Sequence, residues 1–272
     1  MPQVCSARPL PAHSFYLVGQ FLDCPPSAAP VLILGRKFMP TSPAKFTGFS
    51  AETLRFLVEL AQNNRREWFN ERKAFYKETV EAELRGLVLS TSAALAKKKI
   101  PLSTEPKKAI FRIYRDTRFS ADKSPYKTNL GAVFNTGGKP GSGVLYVHLE
   151  PKASFTAIGF YQPDQLGLTR IREAIADRWK DFKSVISRLD RAGLVLEGSE
   201  VLKRVPRGFE SFAEAECARY LKYKSFVVSR RLTEADLRSP DLPTKLTLFA
   251  SEGLPLLKFG WTALGRHQLT QG

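Results

Sequence analysis

Cysteine and histidine are scarce in this chain of 272 residues, with three of each. Cys5, Cys24 and Cys217 are odd in number, far apart and form no CxxC pair. That argues against a disulfide framework or thiolate metal site and points to a reducing, cytoplasmic setting. His13, His148 and His267 are equally scattered, so no zinc centre is expected and no cofactor is evident. No apolar run approaches the roughly 20 residues that a membrane-spanning helix needs, so no membrane partner is expected. The GxSxG, HExxH, DxDx[TV] and GxGxxG patterns are missing too, which removes the common hydrolase, metalloprotease and dinucleotide templates. Glu150-Pro151-Lys152 resembles the carboxylate-x-lysine of metal-dependent nucleases, but Pro151 breaks the strand that such an arrangement requires.

Acidic residues are also few. Against 42 Lys and Arg stand 26 Asp and Glu, a formal net charge of +16. A chain this basic attracts polyanions: nucleic acid, anionic surfaces or phosphorylated small molecules. The basic residues are spread along the chain without a low-complexity tail, which suits weak, non-specific affinity better than sequence reading. Apolar content of 43% is an ordinary globular value, sufficient for a sizeable core.

Residues 1–45 differ in character from the rest of the chain. Pro25-Pro26 and Pro30 interrupt them, VLILG at 31–35 is too short and late for a signal peptide, and Met39 opens a second plausible start. A flexible extension or an over-long start is expected there, then one domain over 46–265 and a tail over 266–272. Ser50 is placed to cap a helix bearing Leu54, Leu57, Val58 and Ala61, which Asn63-Asn64 ends. A second helical stretch from Arg65 carries Trp68, Phe75, Tyr76, Val80, Leu84, Leu87, Val88 and Leu95 to Lys97-Lys98-Lys99, with a kink expected over Glu83 to Gly86. Alternation then predicts strands at 109–115, 130–134, 144–150, 154–161 and 223–229. Helices are expected from Pro163-Asp164 to Arg178, over Trp179 to Arg191, and at the end of the chain. The loop TGGKPGSG (136–143) lacks P-loop spacing and reads as a hairpin connection. Helices, then consecutive strands, then helices predict an α+β fold: a mainly antiparallel sheet packed against amino- and carboxy-terminal helices.

The densest charge pattern is RIYRDTRFSADKSPYK (112–127). Guanidinium forks match phosphate and carboxylate geometry. Arg112, Arg115, Arg118 and Lys123 are therefore candidate anion ligands, with Tyr126 as a hydrogen-bond donor and Asp116 and Asp122 orienting the cations. The alternative is an internal salt-bridge scaffold. Magnesium at Asp116 and Asp122 is disfavoured because the arginines compete for the same oxygens. Strand alternation places Tyr146, His148 and Glu150 on one face. If the strands are neighbours, Arg112, Tyr114 and Tyr223 join that face. Lys203 and Arg207 in LKRVPRGF (202–209), with Lys222 and Lys224, could extend a basic groove with interleaved aromatics.

The expected partner is a phosphate-bearing ligand, with nucleic acid or nucleotides favoured by the whole-chain charge. An enzyme acting on a phosphorylated or carboxylated small molecule, and a structural protein whose Arg-Asp cluster is a scaffold, are the alternatives.

FTGFSAETLRFLVELAQNNRREWFNERKAFY (46–76), AIFRIYRDTRFSADKSPYKTN (109–129), LKRVPRGF (202–209) and LKYKSFVVSRRL (221–232) together resemble the mainly bacterial family called domain of unknown function 2461. Its RxxRDxRFxxxKxxY-like signature is matched by Arg112, Arg115, Asp116, Arg118, Phe119, Lys123 and Tyr126, with Asp122 at one of its open positions. The resemblance implies that this run matters, and implies no particular chemistry.

Overall fold

The computed structural model describes residues 45–266 apart from 119, 137–140, 197 and 199. The extension expected over 1–45 lies outside these residues except for Lys45, and so does the tail beyond Arg266. Four strands form one antiparallel sheet in the order β1 (Leu130–Asn135), β2 (Val144–Leu149), β3 (Phe155–Phe160) and β4 (Phe226–Arg231). The fold is α+β.

The amino-terminal helices begin with α1 (Ala51–Gln62), where Ser50 accepts a bond from the Thr53 amide at 3.1 Å and satisfies one orphan donor. Next come α2 (Arg66–Glu71) and a short α3 (Lys73–Phe75). A π-helical turn over Tyr76–Val80 then leads into α4 (Glu81–Lys97). The helical ladder slips by one residue at this π turn, just before the stretch Glu83 to Gly86 where a kink is expected. That slip keeps Tyr76, Val80, Leu84, Leu87 and Val88 all buried.

The remaining series of helices starts with α5 (Pro106–Ala109), α6 (Gln165–Asp177) and α7 (Trp179–Arg191). It ends with α8 (Ala218–Leu221), α9 (Glu234–Arg238) and the long α10 (Leu242–Ala263). Asp164 caps α6 through the Gly167 amide at 2.7 Å, and Thr233 and Asp236 form a reciprocal capping box on α9.

One sheet face meets these helices. Leu130, Ala132, Phe134, Leu145, Val147, Leu149, Ile158, Phe160, Phe226 and Val228 supply it, and all are buried. Each large apolar side chain of this kind contributes about 1.5–3 kcal/mol on burial. Helix α10 lies close on β3 because it carries glycine at the crossing points. A Cβ at Gly253 would lie 2.3 Å from Ile158, and one at Gly260 2.2 Å from Phe160.

The strand expected over 109–115 is not continuous. Pro106 opens α5 through Ala109, and only Ile110 and Tyr114 make β-bridges, to Ala132 and Tyr126. This segment leaves the edge of β1 after Phe111, whose amide donates to the Gly131 carbonyl at 3.0 Å. It then turns into its own hairpin with 125–127.

Candidate functional site

That hairpin presents the basic run. Arg115 donates from its amide to the Pro125 carbonyl at 2.9 Å, and the Lys127 amide donates to the Ile113 carbonyl at 2.8 Å. The turn between α1 and α2 anchors the same segment. The Asn64 side chain accepts from the Tyr126 amide at 3.0 Å and donates to the Tyr126 carbonyl at 2.8 Å, standing in for one rung of a strand. The Tyr126 ring is buried and stacked on Phe69 at 4.1 Å, so its placement is that of a core anchor.

Most of the cations in the hairpin close on the hairpin itself. Arg115 pairs with Asp122, and Arg118 grips Asp116 with Nε at 3.1 Å and Nη2 at 2.8 Å. Lys123 Nζ donates to the Thr117 carbonyl at 2.9 Å. Asp122 also accepts from Ser124, and these bonds, with Arg115 beside them, hold its carboxyl down to about 2. Asp236 is held at a similar value by Lys245 and Thr233.

Both carboxyls lie below the ordinary aspartate value of about 3.9. Their stabilising contribution is therefore present above that value and is lost as pH falls from about 4 through about 2. Thermal midpoints should drop across that window. Asp122→Asn and Asp236→Asn should each flatten the drop, and an unchanged pH profile in both variants would contradict the assignment.

Arg112 is exposed and, among the described residues, has neither an ion pair nor a hydrogen bond. It lies close enough to Lys127 for the two cations to repel. Lys127 is half-buried with its ammonium 5.6 Å from the centroid of the Phe111 ring, and desolvation, then Arg112, lowers its pKa.

The other face of the sheet carries a buried polar network. Cross-strand register sets Gly131 opposite His148 and Val133 opposite Tyr146. Asn129 approaches the His148 ring, and Lys127 reaches Phe111, whose ring lies 6.0 Å from that of Tyr146. A Cβ at Gly131 would lie 3.0 Å from the Phe111 ring and 3.1 Å from the Tyr146 hydroxyl, so glycine leaves room for both.

His148 is 2% exposed and Tyr146 9%. His148 Nε2 lies 3.0 Å from Glu150 Oε2, and Nδ1 lies 3.0 Å from the Tyr146 hydroxyl and 3.4 Å from Asn129 Nδ2. An ionised carboxylate only accepts, so Nε2 carries the proton in the neutral ring and Nδ1 accepts from Tyr146 and Asn129. Burial, then the Glu150 charge, raises the Tyr146 pKa, which keeps the phenol protonated. Phe155 stacks on the imidazole at 4.8 Å, and the turn after β2 fixes Glu150, whose amide donates to Ser154 Oγ at 3.0 Å.

A family model described as "Conserved hypothetical protein (DUF2461)" matches residues 52–259. The chain belongs to this family. No curated protein and no solved structure matches it.

Within this DUF2461 chain the residues singled out from sequence separate into three groups. Tyr146 and His148 do share a face, and Phe111 and Lys127 take the place expected for Arg112 and Tyr114 beside them. Tyr114 instead packs on Phe69 and Tyr126, at the half-exposed edge of the aromatic cluster. Tyr223 does not join them either. Its ring packs against Tyr220 and Phe226 near α8, because 223 precedes β4 and forms a bridge with Val201. Lys203 and Arg207 are exposed in the segment before α8. Asn129 and the relay role of Glu150 escape the sequence reading, although 127/129/131 and 146/148/150 alternate in the plain text of the chain.

Among the described residues no group of three or more His, Cys, Asp or Glu could hold a metal ion, and no described helix is long and apolar enough to cross a membrane.

Proposed function

We propose that this chain is an enzyme acting on a small molecule that carries a phosphate or carboxylate. Lys127 and Arg112 hold the anion at the rim, and Tyr146, His148 and Glu150 move a proton beneath it. The observation that carries this reading is the buried Tyr146–His148–Glu150 relay. A buried polar network is costly unless fully partnered, and here both imidazole nitrogens are partnered.

A substrate proton passes to the Tyr146 oxygen as Tyr146 passes its own to His148 Nδ1. Glu150 offsets the charge of the imidazolium that results. Tyr146, held protonated, acts as donor and shuttle rather than as nucleophile. The hairpin supports the small-molecule reading, since Arg115 and Arg118 are each paired with an aspartate and offer little to a long phosphate track.

The net charge of +16 supports the other reading, a nucleic-acid binder. Binding titrations distinguish them. Phosphorylated and carboxylated small molecules are run beside single-stranded and duplex nucleic acid at two salt concentrations. The enzyme reading expects saturable small-ligand binding with shallow salt dependence. Lys127→Ala should weaken it about tenfold or more, the scale of one charge-assisted contact. Tyr146→Phe should leave that binding intact. Binding to polymer alone, with a log–log slope of about −0.9 per duplex phosphate or about −0.7 per single-strand phosphate, would overturn it.

A further inference from the structure

Helix α6 carries a cation that the relay does not use. Arg172 is 3% exposed, on the side of α6 that also buries Leu168, Ile171 and Ile175. Its Nη2 donates to the Tyr223 carbonyl at 2.9 Å, just beyond the end of α8. Its Nε–H is buried and meets no acceptor. Among the described residues no carboxylate pairs with this guanidinium. The carboxylate of Glu200 is bound to Lys224 at 3.1 Å. Lys222 and Arg219 add further positive charge in and just after α8, and the Arg219 guanidinium lies over the Tyr220 ring.

An arginine cannot escape burial by losing its proton, unlike a buried lysine. Desolvation presses on it all the same and lowers its pKa. A buried charge with neither counter-ion nor full hydrogen bonding is among the costliest features a fold can hold. One carbonyl accounts for one of its five donors. The bond to Tyr223 explains why a donor sits at the exit of α8, but a neutral donor would serve there at lower cost.

We propose that Arg172 is the buried anchor of an anion site separate from the relay, taking one small oxyanion, a phosphate or a carboxylate, against its free Nε–H. The anion supplies the missing counter-charge, and Tyr223 orients the guanidinium through its carbonyl. The ligand-free protein then carries an uncompensated charge, and binding relieves it.

The test is thermal unfolding of the full chain and of Arg172→Met in buffer at constant ionic strength. Sodium phosphate and sodium acetate are titrated separately against a sodium chloride control. A saturable rise in the wild-type midpoint of about 3 °C or more over the control is expected with at least one oxyanion, and the arm that responds names the class. Arg172→Met, which removes both the unpaired charge and the bond to the Tyr223 carbonyl, should lose that rise. Lys127→Ala should keep the rise, which separates this site from the relay rim. No saturable rise with either oxyanion would overturn the proposal, and so would a rise retained in Arg172→Met. Should Arg172→Met fail to fold, the Arg172 Nε–H resonance of the wild type decides. A shift on adding phosphate or acetate supports the site, and an unmoved resonance overturns it.

Discussion

Gly159→Ala should destabilise the protein by more than about 3 kcal/mol, enough to leave much of it unfolded at ordinary temperature. Gly159 sits in β3 with φ at +141°, in a region that L side chains rarely adopt. A Cβ there would lie 2.0 Å from the Phe226 carbonyl oxygen and 2.9 Å from the Val227 Cα. Both obstacles are backbone of β4, the partner strand, so relief requires β3 and β4 to part. The β3–β4 ladder extends from Phe155↔Arg231 to Phe160↔Phe226, and parting them exposes Phe160 and Phe226 of the helix-facing core. Gly193→Ala provides the control. Its φ is +68° but a Cβ there meets nothing within 4 Å, so only the backbone strain of about 1–2 kcal/mol remains. Urea unfolding of the two variants measures the difference, and equal costs would contradict the packing argument.

Phe69→Ala should cost about 3–5 kcal/mol, the usual range for removing a buried phenyl ring. Phe69 is the hub on which the amino-terminal helices meet the basic hairpin. Its ring lies 4.1 Å from Tyr126, 5.4 Å from Tyr76 and 6.3 Å from both Phe56 and Tyr114. Two of those contacts belong to the hairpin, so the loss should not be uniform. Amide exchange over residues 113–127 should quicken more than exchange in β2 and β3. If the hairpin kept its protection while global stability fell, the Asn64 bonds alone would be holding it, and the stacking account would be wrong.

Much of this arrangement is legible from residue patterns, and its failures have physical causes. Alternation over 144–150 separates Leu145, Val147 and Leu149 from Tyr146, His148 and Glu150, because a strand has a strict period of two. Ser50 and Asp164 mark helix starts because their side chains can accept from free amides. The same alternation misleads over 109–115. Ala109, Phe111 and Ile113 alternate correctly, yet Pro106 starts a helical turn and the chain leaves β1 to pair with 125–127 instead. Which partner an edge segment takes depends on contacts far along the chain, here Asn64 with Tyr126 across 62 positions. The charge surplus in 112–127 counts residues correctly. It does not say that Arg115 and Arg118 turn inward to their own aspartates while Lys127 turns to Phe111. Arg172 carries no sequence signal at all, since a single arginine in an amphipathic helix reads as a solvated position.

The central claim is that His148 serves as a proton acceptor between Tyr146 and Glu150 beneath an anion held by Lys127. Nitrogen-15 chemical shifts of the His148 imidazole, read in the full chain with His148→Gln to assign them, test it most directly. With only three histidines in the sequence, the assignment is tractable. A relay of this kind requires a neutral ring protonated at Nε2 with a hydrogen-bonded Nδ1. A small phosphate- or carboxylate-bearing ligand should then move the Nδ1 shift in the wild type but not in Lys127→Ala. A ring protonated at Nδ1, or an Nδ1 shift unmoved by every ligand that binds the chain, would contradict it.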